Sequence, residues 1–250
     1  MHLDRNLIDS FESKQDTARF WIKTAKINNP EYLTKFVLDA LRESDFKFVI
    51  TRIKSENLQL INTLEDLDFR LKDVQLTYKF EINGSPICCD FFNPDIIIRE
   101  ATIDDIAALR IVAEDCFRDY GHYFADEKLD KESCMEVYRE WTEKAVLSKD
   151  ASVKFFLAEQ SGIVLGYLFF GIKDLENGRY SYGGLGAVGS KNRSKNVFST
   201  LVIKGLEWAK QENHIWQEHN VLNINYPVNR VFSKLGFYIY KSETTLHAWL

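Results

Sequence analysis

The chain has 250 residues, 45% hydrophobic and 28% charged, a balance that suits one large or two small globular domains. Its net charge of −5 argues against a nucleic-acid-binding protein, which would carry a basic face. The sequence has no apolar run near the ~20 residues that cross a bilayer, and its N-terminus lacks a signal-peptide core, so we expect a cytoplasmic protein without membrane partners.

The first ninety-odd residues predict the element order α-α-β-α-β. A first helix is expected from Ser10 to Asn28, and Asn29-Pro30 has the residue types that begin a second one. The second helix is supported by apolar residues three and four positions apart, at Leu33, Phe36, Val37, Ala40 and Leu41. Residues 46–53 and 74–82 have the composition and alternation of strands, with a third helix between them at 60–67.

Two observations bear on domain organisation and metal binding. Asn93-Pro94 marks a predicted junction, which divides the chain into an N-terminal α/β domain at 1–94 and a larger domain at 95–250. The four cysteines lack metal-ligand spacing and a clustered histidine, so we expect reduced thiols and no metal. They are Cys88, Cys89, Cys116 and Cys134.

The larger domain opens with a strand at 96–99 and a helix whose Thr102 and Asp105 have capping-box spacing. A second helix runs through Tyr138 and Trp141, and Ser161-Gly162 predicts a hairpin turn. Next come a strand ending at Val188, a polar turn at 189–196 and a long amphipathic helix. The order ends with a strand at 221–226, a short helix and two closing strands.

The polar turn delivers a strand into the N-terminus of a helix. Unpaired N–H groups, the helix dipole and the charges of Arg193 and Lys195 suit such a turn to anion binding, although an ordinary strand–helix connection has the same pattern. Residues 193–198 and the later Asn225…Phe232…Gly236-Phe237 run resemble two motifs of the GNAT acyltransferase superfamily. The resemblance implies an α/β (α+β) GNAT fold behind a smaller N-terminal α/β domain.

The same resemblance implies acetyl-CoA as acyl donor and no metal. The pantetheine arm is expected to pair with the strand near Ala187 and Val188 and to contact Asn225. The pyrophosphate-binding turn corresponds to Arg193, Ser194, Lys195, Asn196, Val197 and Phe198. Asn196 and Phe198 replace the two glycines of the family turn, and Asn is the replacement that tolerates left-handed backbone.

Residues 48–80 and 121–126 resemble the TDP-fucosamine N-acetyltransferase branch, which predicts an amino-sugar acceptor such as TDP-4-amino-4,6-dideoxygalactose. The expected acceptor contacts are Tyr120, Tyr123, Asp126, Tyr182 and His247. Phe232 occupies a cofactor-side position where much of the superfamily has the tyrosine that protonates the thiolate. We therefore assign His122 as the candidate base and Tyr226 as the candidate acid.

Two other functions remain open at this stage. The departures at the turn and at Phe232 fit a non-catalytic acyl-CoA-binding or regulatory module on a degenerate scaffold. Alternatively, the enzyme acts on a peptide N-terminus, a polyamine or an antibiotic instead of a sugar. The sequence also leaves a homodimer open.

Overall fold

A computed structural model of the chain describes residues 4–148, 150 and 152–250. The helices are α1 Arg5–Ser10, α2 Lys14–Phe20, α3 Lys35–Glu43, α4 Leu58–Asp66, α5 Ile106–Phe117, α6 Gly121–Phe124, α7 Lys131–Leu147, α8 Val197–Gln211 and α9 Tyr226–Lys234. The strands are β1 Thr24–Ile27, β2 Phe48–Lys54, β3 Arg70–Glu81, β4 Ile97–Glu100, β5 Val153–Gln160, β6 Ile163–Leu175, β7 Gly178–Val188, β8 Trp216–Leu222 and β9 Tyr238–Trp249.

The chain forms two compact units, each assembled from separated segments. The first unit comprises Met1–Gln75, Asp119–Cys134 and Lys241–Leu250, and the second comprises Leu76–Arg118 and Met135–Tyr240. These units do not follow the predicted junction after residue 94. Compactness alone does not test which segments fold independently, so the division at 94 stays a prediction.

The first unit contains β1, β2, most of β9 and the first half of β3, in that spatial order. Strand β1 is parallel to β2, and β2 is antiparallel to β9. One face of these strands forms an apolar core with α3 and α4, made by Ala25, Ile27, Val37, Leu38, Leu41, Val49, Ile53, Leu64, Leu246 and Ala248. Because side chains alternate along a strand, His247 and Trp249 lie on the opposite face.

The predicted helix from Ser10 to Asn28 is wrong. Ser13 accepts the hydrogen bond of a helix N-cap from Asp16, and α2 ends after Phe20, where Trp21 takes left-handed backbone. Residues 24–27 then pair with residues 48–51 as the parallel strand β1. Pairing with a strand more than twenty positions away therefore overrides the local helical spacing.

The second predicted helix is interrupted near its start. Asn29 caps a helical turn with Pro30 in its first position, as expected, but this turn is a 3₁₀-helix of three residues. Thr34 then accepts a hydrogen bond from the Val37 N–H and begins α3 separately. The three-residue spacing of the apolar side chains is compatible with both helical segments.

The second unit contains the rest of β3 followed by β8, β7, β6, β5 and β4. Neighbours from β4 to β7 are antiparallel, and β7 is parallel to β8. Helix α8 packs on β6 through the ring contact between Trp208 and Phe170. Helix α7 is joined to the same strand by a hydrogen bond between the hydroxyls of Thr142 and Tyr167. The predicted capping box at Thr102 and Asp105 is confirmed, as is the hairpin at Ser161-Gly162.

Two boundaries in the second half differ from the prediction. Strand β8 ends at Leu222, where Asn225 N–H donates to the Leu222 carbonyl, so Asn225 is the N-cap of α9 and not a strand residue. The two predicted closing strands are one continuous strand, β9. A turn near its start is absent because the backbone stays extended from Tyr238 to Trp249.

Gly183 on β7 makes room for a buried histidine, which gives a testable prediction. A Cβ on Gly183 would lie 1.8 Å from His219 Nδ1, and His219 is held between Phe170 and Phe232. We expect Gly183→Ala to lower the free energy of unfolding in urea by about 1–3 kcal/mol, the usual cost of overpacking.

Two further variants distinguish the clash with His219 from the general effect of replacing a glycine by alanine. Gly189→Ala, where the nearest atom lies at 3.4 Å, should change stability by less than about 0.5 kcal/mol. In a His219→Ala background the cost of Gly183→Ala should shrink. An equal cost in both backgrounds would contradict the explanation.

Candidate functional site

Strands β7 and β8 separate at their carboxyl ends. They pair only where Ser181, Tyr182 and Gly183 face residues 217–219, although β7 continues to Val188 and β8 to Leu222. The Gly189 N–H donates to the Leu165 carbonyl of the β6 side, so by alternation the backbone groups of Val188 point the other way. The last residues of β7 therefore present an edge to which an extended ligand can bind.

The turn after β7 has the backbone expected of an anion site. Ser194 and Asn196 both have positive φ, at 67° and 59°, so the predicted left-handed conformation of Asn196 is confirmed. Within the described part of the chain, no group accepts a hydrogen bond from the backbone N–H groups of residues 193–198. These groups lie at the positive end of α8, which has fifteen residues.

The turn carries both signs of charge. Arg193 and Lys195 are exposed, and Lys191 lies in the short 3₁₀-helix before them. Asp115 of α5 accepts a hydrogen bond from the Ser190 N–H, which together with Arg193 and Lys191 lowers the pKa of its carboxyl. The carboxylate therefore stays ionised at neutral pH and offsets part of the positive charge.

The two aromatic residues of the family motifs lie in one cluster. Phe232 is 1% exposed and contacts the rings of Tyr78, His219 and Phe198. Phe198 lies 3.5 Å from the position that a Cβ on Gly186 would occupy, so its ring lies against β7. A bound acyl donor could contact Phe232 only if this cluster opened, whereas Phe198 is half-buried beside the strand edge.

The other predicted residues of the second unit are Asn225, Tyr226 and Tyr182. Asn225 Oδ1 accepts from the Val228 N–H at 3.4 Å, which leaves its amide nitrogen for a ligand. Tyr226 is 64% exposed and borders a shallow depression with Asn229 and Arg230. Tyr182 packs over Gly171, with the Lys173 ammonium 5.0 Å from its ring centre.

The first unit contains a chain of hydrogen bonds through two histidines. Asp126 Oδ2 lies 2.8 Å from His247 Nδ1, and His247 Nε2 lies 2.9 Å from His122 Nδ1. Asp126 and His247 are each 1% exposed, and His122 is half-buried. We refer to Asp126, His247 and His122 as the histidine relay.

The Asp126 carboxylate is surrounded by donors. Trp249 Nε1 donates to both oxygens at 3.3 and 3.2 Å, the Lys128 N–H donates to Oδ1, and Lys72 Nζ lies 3.5 Å from Oδ2. Although burial opposes ionisation, the bonds from His247 and Trp249 lower the pKa of Asp126 well below its usual range. Both oxygens therefore already have donors, and contact of Asp126 with an acceptor stays a prediction.

Both relay histidines are neutral at physiological pH. Burial lowers the pKa of His122 well below 6.5, and His247, Arg52 and Lys26 lower it further. Burial likewise lowers the pKa of His247, against the opposing effect of Asp126. Both ring nitrogens of His247 have partners, Asp126 and His122, and its contact with an acceptor stays a prediction.

A second buried carboxylate anchors the short helix that carries His122. The Tyr123 hydroxyl donates to Asp16 Oδ1 at 3.0 Å, and Asp16 also pairs with Arg19. Tyr123 is 2% exposed and holds α6 in place, and its contact with a sugar stays a prediction. Tyr120, the residue before α6, is half-buried.

Sequence reasoning missed the partners that complete these networks. Lys72 beside the Asp126 carboxylate and Asp16 beside the Tyr123 hydroxyl have no local pattern that marks them. The spacing of His247 and Trp249 on a strand does place both on one face, which was the available signal.

No protein-family model matches the sequence, and no curated protein is significantly similar to it. Solved structures match its fold. A GCN5-related N-acetyltransferase from Kribbella flavida is 10% identical with a TM-score of 0.61, covering 90% of this chain and 80% of that one. A functionally unknown conserved protein from Staphylococcus epidermidis is 12% identical with a TM-score of 0.61, and the match covers 90% of this chain and 82% of that one. This chain has the GNAT fold.

A third similar structure is a glucosamine N-acetyltransferase region in a fungal multi-domain GH3 β-N-acetylglucosaminidase. It is 12% identical with a TM-score of 0.61, and the match covers 91% of this chain and 30% of that one. At these identities the likeness establishes the GNAT fold alone. The element order from β4 to β9, with its separating central strands, is consistent with that fold.

Two searches of the described residues bear on cofactor and membrane. Residues 4–148, 150 and 152–250 hold no group of three or more His, Cys, Asp or Glu side chains able to bind a metal. Over the same residues, every helix is too short or too polar to cross a bilayer. The cytoplasmic location stays a prediction.

Proposed function

We propose that this protein is an N-acetyltransferase that moves acetyl from acetyl-CoA to the amine of a small acceptor. The observation that carries the proposal is the open edge of β7 leading into a turn whose N–H groups have no acceptor among the described residues. The GNAT fold supports it, since similar structures include named N-acetyltransferases.

The donor would bind along the second unit. Its pantetheine amides would pair with the backbone near Ala187 and Val188, and Asn225 would offer its free amide nitrogen. The pyrophosphate would accept hydrogen bonds from the N–H groups of residues 193–198, with Arg193 and Lys195 adding charge. These hydrogen bonds use the backbone N–H groups of Asn196 and Phe198, which are present without glycine at either position.

The transfer forms one bond and breaks another. The neutral amine attacks the thioester carbonyl, a C–N bond forms, the C–S bond breaks, and the electron pair leaves on sulfur. The amine loses its extra proton to a base, for which we propose His122, and the thiolate takes a proton from an acid. Tyr226 is the candidate acid, and its exposed hydroxyl is consistent with exchange with solvent.

For the acceptor we propose a nucleotide-linked amino sugar such as TDP-4-amino-4,6-dideoxygalactose. Three observations support it: a similar fold occurs in a glucosamine N-acetyltransferase region, Arg52 and Lys26 lie near His122, and His122 is a weak base. The two cations suit an acceptor that bears phosphate. A weak base suits a sugar amine, whose electronegative ring substituents make it less basic than a polyamine.

One observation favours the second candidate, a non-catalytic acyl-CoA-binding module. Phe232 stands where much of the superfamily has a catalytic tyrosine, and it is buried in an aromatic cluster without a hydroxyl. Such a module would bind acetyl-CoA and release no thiol with any amine.

Titration calorimetry with acetyl-CoA, followed by thiol release on adding an acceptor, distinguishes the candidates. Binding with CoA release on TDP-amino sugar supports the transferase, and glucosamine, a polyamine and a peptide N-terminus serve as alternative acceptors. Binding without release from any of them supports the module. Failure to bind acetyl-CoA would reject both.

We expect Arg193→Glu to raise the dissociation constant of acetyl-CoA by about 10- to 100-fold, because a charge-assisted hydrogen bond contributes about 1.5–3 kcal/mol. The matched control is Lys210→Glu, the same charge reversal in the last turn of α8. Calorimetry on both variants checks the prediction, and equal weakening would indicate a general charge effect only.

Two glycine replacements test the departures from the family turn. Asn196→Gly and Phe198→Gly should each leave acetyl-CoA affinity within a few-fold of the parent, because the N–H groups are present in both. If either replacement raised affinity from undetectable to micromolar, the native turn would be unable to hold the pyrophosphate.

A further inference from the structure

The histidine relay has only one consistent assignment of protons when Asp126 is ionised. A carboxylate can only accept, so the proton in its 2.8 Å contact belongs to His247 Nδ1. Neutral His247 then has its lone pair on Nε2, which must accept the Nδ1 proton of His122 at 2.9 Å. Neutral His122 is left with its lone pair on Nε2.

We propose that Asp126 and His247 are positioning residues that hold His122 in the tautomer with an unprotonated Nε2, which takes the proton of the acceptor amine. The identity of the acceptor rests on the proposed function, whereas the tautomer does not. Among the described residues, His122 Nε2 has no hydrogen-bond partner. Nor is it one of the fully buried nitrogens that lack a partner, so this unpaired nitrogen is accessible to solvent.

Packing fixes the rings of both histidines. The Phe48 ring meets the His247 ring edge-on at 4.8 Å, and the ring of Tyr123 lies 4.0 Å from that of His122. Tyr123 is in turn tied to Asp16. Because neither ring can turn freely, the hydrogen bonds determine which nitrogen carries the proton.

The proton transfer balances without any further reactant. The N–H bond of the ammonium breaks as a bond to His122 Nε2 forms, and the Nδ1 proton of His122 can then pass to His247 Nε2. The resulting imidazolium of His247 lies against the Asp126 carboxylate, which stabilises it. The resting relay is restored when the His247 Nε2 proton returns to His122 Nδ1 and the proton on His122 Nε2 leaves to solvent.

Charged groups from every neighbouring element act on this transfer. Lys26 of β1, Arg52 of β2 and Lys72 of β3 disfavour a positive relay, whereas Asp73 of β3 and Asp126 favour it. Burial is the main reason why the resting histidines are neutral, and the positive groups add to it. The relay therefore passes a proton on and does not store it.

The test is the tautomer of each histidine, read from ¹⁵N–¹H correlations of the full-length protein labelled at histidine, without cofactor. In the parent we expect the Nδ1–H form for both His122 and His247. His247→Gln can donate to Asp126 and accept from His122, so it should keep the His122 tautomer. His247→Phe can do neither, so His122 should revert to the Nε2–H form that free imidazole prefers.

Activity gives a second readout on the same variants. We expect His247→Phe to lower kcat by about 10²-fold with the KM for acetyl-CoA unchanged, and His247→Gln to keep more activity. If His247 only filled space, phenylalanine would serve as well as glutamine in both measurements. Asp126→Asn provides a second variant, which should change the His247 tautomer, if His247→Phe does not fold.

The outcomes separate the two proposals. An Nε2–H form of His122 in the parent, or an unchanged tautomer in His247→Phe, would overturn the relay. Failure of the parent to bind acetyl-CoA would overturn the proposed function, while the predicted tautomers would still support the relay as a fixed proton acceptor.

Discussion

Replacing His122 by glutamine is expected to lower kcat for acetyl transfer by about 10²- to 10⁴-fold, the usual contribution of a general base. Glutamine can keep a hydrogen bond to His247 Nε2 but has no basic nitrogen to take the amine proton. Because His122 lies outside the donor turn, the dissociation constant of acetyl-CoA should stay within about two-fold of the parent. Thiol release and calorimetry measure the two quantities separately.

Chemical rescue provides the control for this loss. In His122→Ala, added imidazole should restore part of kcat, since it supplies the missing base in the space that the side chain left. Thermal unfolding of both variants checks that the first unit is intact. Full kcat in His122→Gln would remove His122 from the chemistry.

The second large effect is a loss of stability in mild acid. Every histidine among the described residues has a lowered pKa: His122, His214, His219 and His247. For His219, burial lowers the pKa to about 3. Below about pH 6.5 the unfolded chain binds protons that the folded chain does not, so stability falls as pH falls and this loss ends near the folded pKa.

The expected size is about 1.4 kcal/mol for each pH unit from His219 alone, with further losses from the other three. A globular protein has only about 5–15 kcal/mol to lose, so unfolding is expected above pH 3. Asp105, with a pKa lowered to about 2, acts in a separate window, because its contribution is lost only below about pH 4.

Urea unfolding at pH 7, 6 and 5 checks the histidine contribution. His219→Gln keeps a polar group beside Gln217 but cannot take up a proton in this range. Its free energy of unfolding should therefore decrease with falling pH by about 1.4 kcal/mol per pH unit less than that of the parent. Parallel slopes for the parent and the variant would show that His219 does not contribute.

The sequence predicts best where the signal is local. The Thr102–Asp105 capping box, the Ser161-Gly162 hairpin and the left-handed Asn196 each depend on a few neighbouring residues, and all three occur in the structure. Together with the two motif blocks, they were sufficient for the GNAT fold. Strand β1 was missed because its stability comes from pairing with β2, which no pattern within residues 24–27 reveals.

In the candidate site, even more depends on contacts between residues that are far apart in the sequence. His122, Asp126 and His247 were all singled out by resemblance, yet separately, His122 as the candidate base and the other two as sugar contacts. Their joining into a chain depends on hydrogen bonds that span 121 and 125 positions, and on Lys72, which the sequence does not mark. The burial of Phe232 likewise follows from packing with distant rings.

The assembly of the first unit from three separated segments has a consequence for how it folds. In that unit β9 lies between β2 and β3, both of which leave the ribosome long before it. Until residues 241–249 are made, β2 lacks a neighbour along one edge, and such edges favour misassociation. His247 arrives with that same strand, so the histidine relay cannot form until residues 241–249 have been made.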